Sequence, residues 1–226
     1  MSLKLLSIDH VSVTDDFGEQ LFSRVGLTLF SSSCLCVYGG GKFARTSLLR
    51  AISSVIIPES GNVTMYDLSL GSEVHCDDVF HLGYASILYN TLSVEDNLRL
   101  WAAIYRGEDR ISAVVQLFEL SEYLSVDVCR LPGNIRQRVR LSVLMISNAS
   151  IWIIEEPFQS MDDFTVKRFL EIVQVRCSNN GIVVYSNPFK YVYSNKKYEE
   201  SGGDGDDGVN MDFILHYMLE EGAAVI

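Results

Sequence analysis

Apolar positions along the chain follow two periods, one of two residues and one near 3.6. Residues 3–13 set Leu3, Leu5, Ile8, Val11 and Val13 against polar neighbours, which predicts an edge strand. Residues 25–30 and 34–38 predict two more strands. After Gly39-Gly40-Gly41 the period lengthens: Leu48, Leu49, Ile52 and Val55 predict a helix that Pro58 stops. A turn at 59–62 leads into a short strand at 63–66, and Val79–Tyr84 is another strand-like run. Ser93 before Glu95 and Asp96 reads as an N-cap with acids in the first helical turn. Leu98, Trp101, Ile104 and Tyr105 carry that helix up to Gly107, and residues 110–120 repeat the pattern. Leu131-Pro132-Gly133-Asn134 opens a helix over about 135–147. Ile151–Ile154 is apolar throughout, as expected of a central parallel strand buried on both faces. A helix at 162–177 and a buried strand at Ile182–Tyr185 follow, and residues 213–219 are apolar enough to dock as a strand or helix.

The order strand, glycine-rich turn, helix, with strands and helices alternating on both flanks of a mostly helical stretch, predicts an α/β core with a helical lobe inserted at about 85–150. A length of 226 residues suits one large domain or two small lobes, and 48% apolar residues exclude a mostly disordered chain. The division expected is a body over 1–195 and an acidic appendage over 196–226. Residues 199–208 hold five acids and four glycines and predict a mobile loop. A calcium loop is a poor reading there, since its obligatory glycine would place Gly203 first and Ile214 last, where ligand acids belong.

Net charge, −11, argues against a general nucleic-acid binder. Eight acids against two lysines in residues 196–226 account for −6 of it, so the body is only mildly acidic. Arg45 and the run Arg136, Arg138, Arg140 supply local positive charge, leaving room for one phosphate ligand. The five cysteines lack metal spacing and read as buried free thiols of a reducing compartment, Cys34 and Cys36 on one strand face. No apolar run is long enough to span a membrane and the start lacks a secretory segment, so a cytoplasmic location is expected. The four histidines, His10, His75, His81 and His216, read as structural.

A phosphate-binding loop has the form G-x-x-x-x-G-K-[ST]: glycines let amides face the phosphates, the lysine reaches them, and the hydroxyl meets Mg²⁺. Residues 39–47, Gly39-Gly40-Gly41-Lys42-Phe43-Ala44-Arg45-Thr46-Ser47, keep the first glycine and the hydroxyl but place Ala44 and Arg45 in the second-glycine and lysine positions. Arginine keeps the charge with a longer planar fork. Downstream, Ile151–Ile154 ends in Glu155-Glu156-Pro157. Two carboxylates at a strand end can orient a metal and activate a water. The opening of the 135–147 helix can face an anion, and Gln159-Ser160-Met161-Asp162 follows the acids.

With these motifs in order, the sequence resembles the ATP-binding subunits of ABC transporters, and most closely that of the haem exporter of bacterial cytochrome c maturation. The likeness runs over about residues 3–190. Its carriers are Leu21-Phe22, Thr46–Arg50, Pro58 with Ser60-Gly61, Leu92–Leu98, Gln137–Leu141 and Ile151–Phe158. The resemblance implies a P-loop NTPase of ABC type with a mixed sheet and an inserted helical lobe. It implies ATP and Mg²⁺ as cofactors, and Glu156 as the catalytic carboxylate. Thr46 and Glu155 would hold the metal. Gly39 to Ser47 would bind nucleotide, with Leu131, Pro132, Gly133 and Asn134 closing on the nucleotide of a second subunit and Asn187 in the switch position. Phe17 or Phe22 would stack on adenine, although Phe22 suits the core better.

Several positions depart from the family pattern. Glu155 stands for aspartate, Ala85 for the coupling glutamine, Pro132 for a signature serine and Asn187 for a histidine. Losing one preorganised donor costs about 3 kcal/mol in transition-state stabilisation; several losses do not add simply, but slow hydrolysis is expected. The resemblance also implies a homodimer or ABC heterodimer docked on an integral membrane subunit at the inner face of the cell membrane. The alternative is a non-hydrolysing partner of the same fold.

Overall fold

A computed structural model describes residues 4–73, 78–83, 87–188 and, for the backbone, 214–218. Four strands form an antiparallel sheet: β1 (Lys4–Thr14), β2 (Gln20–Phe30), β4 (Ser60–Asp67) and β5 (Ser72–Glu73), in the order β2-β1-β4-β5. Strand β1 is therefore internal, not the edge strand its alternation predicts. Alternation reports one buried face, here Leu6, Ile8, Val11 and Val13, and says nothing about lateral neighbours. The close approach of β4 to β1 depends on Gly61, which has φ +82°. A Cβ there would lie 2.4 Å from the carbonyl oxygens of Asp9 and His10.

Five strands form a second sheet that is parallel throughout. They are β3 (Ser33–Tyr38), β6 (Val79–Leu82), β7 (Ile151–Ile154), β8 (Ile182–Ser186) and β9 (Ile214–Met218), in the order β6-β7-β8-β3-β9. Strand β7 is central and wholly buried, as its apolar run predicts. Its period of two splits the core. Ile151 and Ile153 join Leu35, Val37 and Val184 beneath helix α1 (Lys42–Ile52) and the antiparallel sheet. Trp152 and Ile154 join Cys34, Cys36 and Tyr185 on the face packed with helices.

Helix α1 ends at Ile52, before the expected stop at Pro58. Ser53 caps it and donates its hydroxyl to Leu49 O, Ser54 turns left-handed at φ 59°, and Val55 is left exposed. The stretch between β6 and β7 is helical as expected: α2 (Val94–Tyr105), α3 (Ile111–Leu117) and α4 (Gly133–Ser147), with one 3₁₀ turn between α2 and α3 and two between α3 and α4. Ser93 is the N-cap of α2 and accepts from Asp96 N. Helix α5 (Asp163–Ser178) returns the chain to β8. The C-terminal segment docks as strand β9 beside β3, while residues 199–208 lie outside the described residues. No helix among the described residues is long and apolar enough to cross a membrane.

Candidate functional site

Parallel sheets place their working groups at the carboxyl ends of strands, and three such ends meet here. Strand β3 runs into Gly39 and Gly40, both at positive φ (75° and 55°), which glycine adopts without strain. The chain then enters α1 at N-cap Gly41. Gly41 has no side chain to cap the helix, and the amides of Phe43 and Ala44 have no carbonyl four residues back within the helix. The end is thus suited to an anion. Strand β7 ends in Glu155 and Glu156. Strand β8 ends in Ser186, whose hydroxyl accepts from Glu156 N at 3.1 Å, and Asn187 N donates to Val37 O at 2.8 Å. Asn187 itself is buried.

Arg45 joins two of these ends. Its Nη1 donates to the carbonyls of Gly39 and Gly40, each at 2.8 Å, and its Nη2 to Glu156 Oε1 at 2.9 Å. The residue is buried, and its Nε has no acceptor among the described residues. Glu156 adopts φ 42°, an unusual conformation for a residue with a Cβ. Ala44 is buried against the core; Thr46 and Ser47 are half-buried in α1. Lys42 is exposed, as is Phe43 at 78%.

Glu155 is enclosed. Its side chain has 0% exposure, and Oε1 lies 3.1 Å from His81 Nε2 and 3.5 Å from Arg50 Nε. Gly83, on the chain just past β6, lies beside this pair: a Cβ there would sit 3.8 Å from both Glu155 Oε1 and His81 Cε1, an ordinary contact. His81 is thus a site residue, where the sequence reads it as structural. The signal lay in strand order, because β6 neighbours β7 and register pairs His81 with Ile153.

A hard divalent cation takes oxygen ligands that are open to it. Both carboxylates here are already engaged by cationic or hydrogen-bonding side chains, Glu155 by His81 and Arg50, Glu156 by Arg45. Among the described residues no three His, Cys, Asp or Glu side chains cluster to hold a metal. The arrangement fits an anion at the start of α1 and does not fit Mg²⁺ between Thr46 and Glu155.

The segment Leu131, Pro132, Gly133, Asn134 opens α4, with Pro132 as N-cap. Asn134 Nδ2 donates to Asp162 at 2.8 Å, and Gly133 packs against Ser160. The arginines that follow are not a free positive patch. Arg138 donates to Asp162 (2.9 Å) and Thr165 (3.1 Å), Arg140 to Gln137 and Gly83 O, and Arg136 to Val128 O. Phe22 is wholly buried and so belongs to the core, whereas Phe17 is 92% exposed. Ala85 lies outside the described residues. Cys34, Cys36 and Cys177 are buried free thiols as expected, but Cys129 is exposed, and Cys76 lies outside the described residues.

No family model matches the chain. Its sequence is 28% identical over 182 residues to the cytochrome c biogenesis ATP-binding export protein CcmA of Wolbachia pipientis, covering 80% of this chain and 87% of that protein. The CcmA protein of Brucella abortus is 26% identical over 168 residues, covering 74% and 78%. Among solved structures, a putative ABC transporter ATP-binding protein from Pyrococcus furiosus superposes with a TM-score of 0.71. The sequences are 23% identical, and 84% of this chain and 94% of the other are covered. The chain therefore has the fold of ABC transporter ATP-binding subunits, and in sequence it resembles the ATP-binding export proteins of cytochrome c biogenesis.

Proposed function

We propose that the chain is the nucleotide-binding subunit of an ABC-type transporter that serves haem export in cytochrome c biogenesis. It binds ATP between the 39–47 loop of one subunit and residues 131–134 of another, as a homodimer or with a second ABC subunit. An integral membrane subunit completes the transporter, and the chain sits peripherally on the inner face of the cell membrane. The observation that carries this reading is the uncapped start of α1 facing the Glu156 strand end, with Arg45 between them. The Wolbachia pipientis and Brucella abortus relatives, both cytochrome c biogenesis ATP-binding export proteins, support the process. Hydrolysis is slow in this reading, because Glu156 acts as general base only when Arg45 releases it.

The Arg45–Glu156 ion pair favours one second reading, a subunit that binds nucleotide and does not turn it over. Comparing ATP turnover of the wild type and Glu156→Gln separates the two. Turnover that the variant loses supports an active subunit; equal rates support the non-hydrolysing partner.

A further inference from the structure

Every negatively charged side chain at the strand ends of this site faces a group that can neutralise it. Glu156 is paired with Arg45, and Glu155, with no exposed side-chain surface, sits between His81 and Arg50. In a metal-dependent phosphate site, acids are left open so that a cation can bridge them to phosphate oxygens. Here that position is taken by protein donors. The positive features left for a ligand are the amides at the start of α1 and the buried Nε of Arg45, which has no acceptor among the described residues. Both are donors to anions, and neither binds a metal ion. The cause is local. Glu155 carries one methylene more than aspartate, and its Oε1 lies 3.1 Å from His81 Nε2.

We propose that this chain takes a nucleoside polyphosphate without a divalent cation, the Glu155–His81–Arg50 cluster standing where the metal would bridge acid and phosphate. The proposal rests on the loop being a nucleotide site. It makes Glu155 a residue that excludes the ion, and it accounts for one altered family position by a contact rather than by decay. Binding of ATP to the full chain follows by calorimetry, once with EDTA and once with excess Mg²⁺. The expected result is affinities that agree within about twofold, less than half a kcal/mol. Binding about tenfold tighter with Mg²⁺ overturns the proposal and leaves the nucleotide reading standing. No binding under either condition overturns both. Glu155→Asp supplies the second readout. Its shorter carboxylate withdraws from His81 and Arg50, so the variant should gain about tenfold in affinity from Mg²⁺. A Glu155→Asp protein as indifferent to Mg²⁺ as the wild type removes the cluster as the cause and overturns the proposal.

Discussion

The guanidinium of Arg45 donates to Glu156 at 2.9 Å while its other arm holds the carbonyls of Gly39 and Gly40. The residue in the position of the phosphate-loop lysine therefore ties the loop to the Glu156 carboxylate at the end of β7. A lysine ammonium is a compact point charge; the arginine fork has the reach and the donors for both tasks at once. In this state the loop is braced from within and its charge is spent on Glu156. A polyphosphate entering at the start of α1 competes with that carboxylate for the same guanidinium.

Removing one partner of this buried pair should cost more than removing both. Arg45→Met leaves Glu156 charged beside an apolar side chain and frees two loop carbonyls. About 3 kcal/mol of stability should be lost. Arg45→Met with Glu156→Gln should recover at least half of that. Urea unfolding of the wild type, both single variants and the double variant measures the coupling. A cycle that closes to zero would mean the two side chains do not interact in solution.

Asn97 should be nearly as costly to remove. It is fully buried at the start of α2. Its Oδ1 accepts from Tyr89 N (2.8 Å), and its Nδ2 donates to the carbonyls of Tyr89 (3.0 Å) and Ser93 (2.9 Å). One side chain thus pins the loop that leads into the helical lobe. Asn97→Ala takes the acceptor from Tyr89 N and removes the amide donor to the Tyr89 and Ser93 carbonyls, and should lose about 2 kcal/mol. Hydrogen exchange should show faster opening at residues 89–93 in particular. Uniform protection in the variant would count against this pinning role.

Most elements are legible in the sequence because the periods of two and 3.6 are strong wherever one face is buried. The wholly apolar 151–154 run and the cap at Ser93 are examples. Lateral order is not legible. Nothing in residues 3–13 says that β4 covers their second edge. The site is legible as motifs but not as contacts. Glycines, hydroxyl and acids mark where strand ends meet, whereas the Arg45–Glu156 pair and the His81–Glu155 contact join residues 111 and 74 positions apart. The helix end at Ile52 was hidden for a different reason. Ser53 and Ser54 form hydrogen bonds with the backbone behind them and end α1 ahead of the more conspicuous proline.

The thiols should divide by burial. Burial pushes the Cys36 thiol up to about 11, and burial first, then Cys177, raises Cys34. A thiol that high is almost never thiolate at neutral pH and does not attack disulfide reagents. Cys177 is lowered, first by its hydrogen bond with Cys34, but it too is buried. Among these four thiols, Cys129 alone should react with an aromatic disulfide reagent in the folded protein. Peptide mapping after brief labelling checks it. Early modification of Cys34 or Cys36 would mean that the helical face of the parallel sheet opens readily.

Asp162 should make the join between α4 and α5 sensitive to acid. Its burial alone would raise the carboxyl, but donors from Thr165, Asn134, the Thr165 amide and Arg138 outweigh it and hold the group well below the usual carboxylate range. A carboxyl depressed on folding stabilises the folded state fully above its unfolded value, near about 4. That contribution disappears as pH falls through the lower folded value. Wild type should therefore exceed Asp162→Asn in stability at neutral pH, and the gap should narrow steadily below about pH 4. Urea midpoints for both proteins from neutral to acid pH give the comparison, and a gap that does not change with pH would show that the ionised form is not what the donors hold. Because Asn134 is one of those donors, the same titration should release the opening of α4. Fluorescence from a probe attached at Ser160 should shift over the same acid range in the wild type and not in Asp162→Asn.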